Sequence, residues 1–259
     1  MKTALITGAS FGIGAAFARE LAARKTDVVL VARSEDKLQQ IAKELQEQFQ
    51  VQVEVIVQDL TTPGATQSIY DTVTKKGLVI DLLINNAGFG DYGAFVERKL
   101  QRQTEMIQLN ITALVELSYL FLSGMKQRGS GGIINVASIA GFQPLPYLSV
   151  YAASKAFVLS FSEALWAENK DAGVRILALC PGPTESNFFK VAEFPSSFTN
   201  QNGNRSTPAE KVVRDALKVL EKNQPTLVTG GFGNQVIVNL PRFFPRDWLV
   251  SAVEKQFKN

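Results

Sequence analysis

Tyr151 and Lys155 stand four positions apart in the run SVYAASKAF, residues 149–157, among small and apolar neighbours. Spacing of i, i+4 puts a phenol and an ammonium on one face of a helix. A free phenol titrates at about 10, too high for easy turnover near neutrality, and an adjacent ammonium draws that value down by favouring the phenolate. The pair is therefore a candidate general acid and base. Composition sharpens the point, because the chain has no histidine and proton chemistry near neutral pH must use another group. Tyr-x-x-x-Lys occurs on many helices without consequence. What raises it here is Ser138, thirteen positions earlier and just past a strand-like run. A turn serine capping the loop SIAGF is the plain alternative.

The elements that must hold these groups follow a simple rhythm. Short β-branched runs alternate with helix-length stretches: TALIT, VVLVA (28–32), VQVEVIV (51–57), DLLINNA (81–87), GIINVA (132–137), VRILALC (174–180) and a weaker TLVT near 226. The runs are continuously apolar, which suits strands covered on both faces. Alternating β and α elements imply an α/β fold, a single Rossmann-type domain with a doubly wound parallel sheet of about seven strands. Helices are expected at 34–49 and 64–76, and the capping box Thr207-Pro208-Ala209-Glu210 should open another to about Asn223. Residues 105–125 and 149–167 are apolar nearly all round, so each should bury a second face; a homodimer or homotetramer through both is expected, with a thick core under loops as the plain alternative.

The first strand runs into Thr7-Gly8-Ala9-Ser10-Phe11-Gly12-Ile13-Gly14 and then an alanine-rich helix. Glycines there permit a tight turn and close approach of backbone to a pyrophosphate, and the helix N-terminus offers free N–H groups. The spacing is G-x-x-x-G-x-G, and a merely structural turn is the alternative. The second strand ends Val31-Ala32-Arg33-Ser34, where an acid would bind the ribose 2′-hydroxyl of NAD. A guanidinium instead suits a 2′-phosphate, with Ser10 adding a hydroxyl, so NADP(H) is favoured over NAD(H). Glu35 and Asp36 fit the first turn of the next helix. For Arg33, a solvated surface charge is the plain alternative.

Gross features bound the rest. At 259 residues the chain can bury a sizeable core, and a net charge of +3 from scattered basic residues argues against a nucleic-acid binder. The lone Cys180 excludes an internal disulfide and agrees with a reducing compartment. No zinc site of the usual ligands is expected. The apolar run in MKTALITGAS is too short for a signal peptide or a membrane span, so a cytoplasmic enzyme with no transmembrane segment is expected.

Taken together, Thr7-Gly8-Ala9-Ser10-x-Gly12-Ile13-Gly14, Asp59-Leu60, Asn85-Asn86-Ala87-Gly88, Asn110, Ser138, Tyr151-x-x-x-Lys155 and Pro181-Gly182-Pro183-Thr184 resemble the short-chain dehydrogenase/reductase family over most of the chain. Among subgroups the chain is most similar to the bacterial DltE-like NADP-dependent reductases. The resemblance implies that Tyr151 protonates a carbonyl oxygen while NADPH delivers hydride, or acts as base in reverse. It implies that Ser138 polarises the carbonyl, that Lys155 also reaches the nicotinamide ribose, and that Asn110 kinks its helix and holds a water relaying to Lys155. It assigns the adenine pocket to Asp59 and Leu60, the adenosine side to Asn86, Ala87 and Gly88, and the nicotinamide amide to Pro181, Gly182 and Thr184.

One catalytic and cofactor-binding domain over 1–259 is expected, with a substrate-lid insert at about 185–206 and a C-terminal extension at about 233–259. Loops 89–98 and 139–148 and the insert carry Phe89, Tyr92, Phe95, Phe142, Tyr147, Phe188, Phe189, Phe194 and Phe198. Such aromatics suggest an apolar pocket and hence a hydrophobic ketone or aldehyde. A 3-oxoacyl thioester is the alternative substrate, although Lys126 and Arg128 offer its carrier only a thin basic patch. A non-catalytic NADP(H)-binding redox sensor is the rival from another class. Intact Ser138, Tyr151 and Lys155 argue against it. The aromatic segment NLPRFFPRDWLVSAVEKQF is expected near the substrate cleft or a subunit interface, and Cys180 reads as a buried apolar residue.

Overall fold

The strands β1 (Thr3–Thr7), β2 (Asp27–Ala32), β3 (Val53–Val57), β4 (Leu82–Asn85), β5 (Gly131–Val136), β6 (Val174–Cys180) and β7 (Thr226–Val228) hydrogen-bond into one sheet in the computed structural model, which describes residues 2–195 and 206–257. Their order is β3-β2-β1-β4-β5-β6-β7, and every pairing is parallel. The order reverses between β1 and β4. In doubly wound sheets the crevice beyond the strand ends at such a switch point is where ligands bind.

Side-chain alternation explains why both faces need cover. On β1, Ala4 and Ile6 join a layer with Phe17, Leu38 and Leu217, while Leu5 joins another with Ile69, Leu117 and Phe121. Helices α1 (Gly12–Ala23), α2 (Glu35–Phe49) and Ala209–Glu221 cover the first face; α3 (Ala65–Lys75), α5 (Ala113–Arg128) and α6 (Ser149–Asn169) cover the second. Phe17 is fully buried, so truncating it to alanine would cost about 3–5 kcal/mol.

Two expectations shift in detail, and one face of the fold stays open. The capping box at Thr207 does not form: the helix begins at Ala209 behind Pro208, with no side-chain cap bond. Thr207 pairs instead with the loop after β6, donating its N–H to Pro183 O at 2.9 Å and bridging to Thr184. The helix expected at 105–125 starts earlier, as α4 (Leu100–Ile107), a π turn (Gln108–Thr112) and α5, a continuous run of 29 residues. That run is long and apolar enough by composition to cross a membrane, yet Ala113, Leu117, Phe121 and Met125 pack on the sheet. Finally, this chain alone leaves Ile107, Tyr119 and Phe157 exposed on the two apolar helices.

The C-terminal segment forms helices Phe232–Asn239 and Arg246–Phe257. Val253 packs in the same cluster as Tyr151, and the Tyr92 hydroxyl donates to Phe257 O at 2.5 Å. The segment therefore packs against the cluster around Tyr151 and the loop after β4.

Candidate active site

Tyr151 lies in the first turns of α6, buried against Met106, Leu145 and Leu148. Ser138 follows β5 and starts a 3-10 turn, Ile139–Phe142, in which its Oγ accepts the Ala140 N–H at 3.1 Å. The capping reading of this serine is thus correct, and it does not compete with the chemical one. An acceptor bond to Ala140 leaves the hydroxyl proton free, and Ser138 is near enough to the Tyr151 phenol to lower its pKa. The turn can lie against α6 because residue 141 is glycine: a Cβ there would stand 2.7 Å from Lys155 O.

Lys155 is also buried, and its Nζ donates to Val136 O at 2.8 Å. It stands 5.8 Å from the centre of the Tyr151 ring. The expectation that this ammonium lowers the phenol pKa is corrected. Burial pushes Tyr151 up to about 12, and the opposing influence is the neighbouring Ser138. Burial also pulls Lys155 down to about 8, with Cys180 acting weakly the other way. The physical reason is that desolvation of both groups outweighs their attraction at this separation. Cys180 itself is fully buried and its thiol is pushed up to about 12 by that burial, which agrees with an inert apolar role.

Asn110 sits inside the π turn, 1% exposed, so it is no surface asparagine. Its Oδ1 accepts the Phe89 N–H at 3.1 Å, and its Nδ2 donates to Phe89 O at 3.0 Å and to Ser154 Oγ at 3.1 Å. The extra residue of a π turn aims this side chain across to the loop after β4. Gly88 completes the meeting: a Cβ there would lie 2.9 Å from Asn110 Oδ1 and 3.4 Å from Lys155 Nζ.

Across the crevice, Gly8 and Gly12 hold φ of +64° and +52°, in the left-handed region. A Cβ at Gly14 would sit 2.3 Å from Gly8 O. Asn86 Nδ2 ties the loop to β4 by donating to Thr7 O at 2.9 Å and Gly8 O at 3.2 Å. Ser10, Phe11 and Ile13 flank the start of α1, with Phe11 left 46% exposed. These features leave a glycine-lined cradle at a helix N-terminus, a geometry suited to an anion. At the end of β2, the Arg33 guanidinium is largely exposed and 3.6 Å from Asp59 Oδ2. Burial would raise the Asp59 carboxyl, but hydrogen bonds from Thr61 and the nearby Arg33 hold it below the usual range. Leu60 is buried beside it, and Ala87 packs partly buried against the same cluster.

Pro181, Gly182 and Thr184 leave the end of β6, and Thr184 Oγ1 donates to Gly182 O at 2.9 Å. The chain then passes so close to the glycine loop that a Cβ at Gly12 would stand 2.9 Å from Ser186 Cβ. Helix α7 (Phe188–Val191) follows, and Phe188 packs its ring 5.1 Å from that of Tyr151. Tyr92, Phe189 and Phe194 extend this aromatic wall. Phe95 does not belong to it, being 55% exposed on a 3-10 turn. Phe198 and most of the later insert fall outside the described residues. The thin basic patch is thinner still, since Arg128 donates to Ile80 O at 3.0 Å.

Two features escaped sequence reasoning. Ser154, adjacent to Lys155, accepts from Asn110 and donates to Tyr151 O at 2.7 Å; a serine inside the Tyr–Lys motif was a usable signal. Asp91, with a fully buried side chain between Arg98 and Arg102, carried no periodic signal because it lies in a loop.

A family model described as short chain dehydrogenase matches residues 2–193. The very-long-chain 3-oxoacyl-CoA reductase of Anas platyrhynchos is 38% identical over 220 residues, covering 83% of this chain and 67% of that protein. A short-chain dehydrogenase from Sphingobium yanoikuyae in complex with NADPH superposes with a TM-score of 0.81 at 30% identity, covering 99% of this chain and 94% of the other. The bulky-bulky ketone specific alcohol dehydrogenase from Comamonas testosteroni gives a TM-score of 0.78 at 30% identity, covering 97% and 94%.

Proposed function

This chain belongs to the short-chain dehydrogenase family, and from that premise we propose that it is an NADP(H)-dependent oxidoreductase reducing a hydrophobic ketone or aldehyde to an alcohol. The observation that carries the reading is the buried Tyr151 phenol, beside Ser138 at the sheet edge that also bears the glycine cradle.

Gly8, Gly12 and Gly14 let the backbone of Ser10, Phe11 and Ile13 meet a pyrophosphate, and the free N–H groups of α1 face its charge. Arg33 would take the 2′-phosphate, and Asp59 with Leu60 would flank the adenine. Asn86, Ala87 and Gly88 line the adenosine side; Pro181, Gly182 and Thr184 line the carboxamide. When bound, NADPH supplies the hydride to the carbonyl carbon. Tyr151 donates its proton to the carbonyl oxygen, and Ser138 donates a hydrogen bond to the same atom. Asn110 and Ser154 fix the surroundings of Lys155, which would reach the nicotinamide ribose.

The aromatic wall of Phe188, Tyr92 and Phe194 around Tyr151 supports an apolar substrate. A second reading, a 3-oxoacyl-thioester reductase, is favoured by the name of the 38% identical relative. The exposed Ile107, Tyr119 and Phe157 support a homodimer or homotetramer through 105–125 and 149–167. The test is NADPH consumption against apolar ketones, aldehydes and 3-oxoacyl thioesters. Turnover confined to one class selects its reading. Tight NADPH binding with no turnover on any class contradicts the enzyme and supports the sensor.

A further inference from the structure

Outside the groups that touch the reaction lies a buried carboxylate with more positive charge than it can balance. The Asp91 side chain is 0% exposed. It accepts from Arg98 Nε at 2.9 Å, from Arg98 Nη2, from Arg102 Nε at 2.7 Å and from Gln103 Nε2. Burial would raise its carboxyl, and the two guanidinium groups hold it below the usual range. Two cations on one anion leave one charge over. Arg98 Nη2 directs it to Glu193 Oε2 at 2.7 Å, just past α7.

Glu193 is a conspicuous choice for that position. Its φ is +58°, in the left-handed region that disfavours residues with a Cβ. A glycine or asparagine would relieve the backbone, yet only a long acidic side chain meets Arg98. Two further contacts hold the same segment: Arg102 Nη2 donates to Val191 O, and the Tyr92 N–H donates to Ala192 O at 2.8 Å. Helix α7 is closed on itself by Ala192 N to Phe188 O, 2.8 Å, and Phe194 N to Phe189 O, 3.0 Å. Fixing Glu193 therefore fixes Phe188. That ring stands against Tyr151 and fills a notch at Gly90, where a Cβ would lie 2.8 Å from Phe188 Cζ.

We propose that Arg98 is a positioning residue: shared between Asp91 and Glu193, it holds α7 so that Phe188 stands against Tyr151, and this sets how bulky a carbonyl compound can reach the phenol. The claim on substrate size rests on the carbonyl-reductase reading; the claim on α7 does not.

The test uses Ala192→Cys as a reporter, because Ala192 is fully buried under this contact and the only native thiol, Cys180, is buried too. Iodoacetamide alkylation of the reporter is compared with and without Glu193→Asn, a change that suits the left-handed backbone but cannot reach Arg98. Alkylation should accelerate at least about fivefold, since cutting the contact raises the open population. Arg98→Lys, which keeps the charge at Asp91 but has no fork to span both acids, should give an intermediate rate. Equal rates in all three would overturn the positioning role. In the same Glu193→Asn change without the reporter, kcat/KM for a diaryl ketone over acetone should rise at least about fivefold, mainly through KM. Faster alkylation with an unchanged ratio would overturn the size claim alone. If the unaltered enzyme reduces neither ketone, alkylation still decides the positioning role, and it is the function reading that fails.

Discussion

Lys155 stands one helical turn from Tyr151, yet its ammonium donates to the Val136 carbonyl at 2.8 Å and lies 5.8 Å from the centre of the phenol ring. The two groups share a helix face without sharing a hydrogen bond. Each pays the desolvation cost separately, so their pKa values move apart from the usual range in opposite directions, to about 12 for the phenol and about 8 for the ammonium.

That displacement has a consequence for stability. Lys155 titrates lower in the folded chain than its ordinary 10.5, so its penalty is full below about 8 and is relieved as pH rises towards 10.5. Between about pH 7.5 and 9.5, the stability of the wild type relative to Lys155→Met should improve by about 2 kcal/mol. Tyr151 is protonated throughout this window in both proteins. Urea unfolding at the two pH values checks it; a constant difference means the ammonium is not buried as described.

Arg33 meets Asp59 across 3.6 Å at an exposed site, an arrangement that contributes little to folding and keeps the guanidinium available. Arg33→Asp should weaken NADPH by about 30-fold, the loss of a charge-assisted contact of about 2 kcal/mol, and change NADH by no more than about threefold. Fluorescence titration with both nucleotides decides. Equal loss for both would remove the 2′-phosphate contact from the account.

Gly14 has no room for a methyl group, because its Cβ would stand 2.3 Å from Gly8 O and 2.6 Å from Asn86 Nδ2. Gly14→Ala should therefore push the loop off β4, costing about 1–3 kcal/mol of stability and the added thermal protection that NADPH gives. Thermal unfolding with and without NADPH measures both. Retained protection would mean the loop binds no pyrophosphate.

Much of this was legible in residue order. Continuously apolar strands of β-branched residues, the glycine loop directly after β1 and the alternation of elements led to the seven-stranded parallel sheet. Ser138 and Asn110 also stood where their chemistry suggested, one at a strand end and one in an otherwise apolar helix. Other features depend on three-dimensional closure. The direction of the Lys155 ammonium follows from a carbonyl on β5, nineteen residues away in sequence. The π turn that aims Asn110 has no propensity signal of its own. The partnership of Asp91 with Glu193 through Arg98 joins residues about a hundred positions apart, and a glutamate in left-handed backbone is invisible to any local rule.

The central claim is that the Tyr151 phenol delivers the proton. Steady-state NADPH oxidation by Tyr151→Phe on the best ketone, with NADPH affinity measured in parallel, tests it most directly. The ring is held by packing against Met106, Leu148 and Phe188, which the loss of its hydroxyl leaves in place. Affinity should thus stay within about twofold while kcat falls by at least about a thousandfold, a loss within the usual contribution of a positioned acid. Turnover within tenfold of the wild type, with binding intact, would contradict the account.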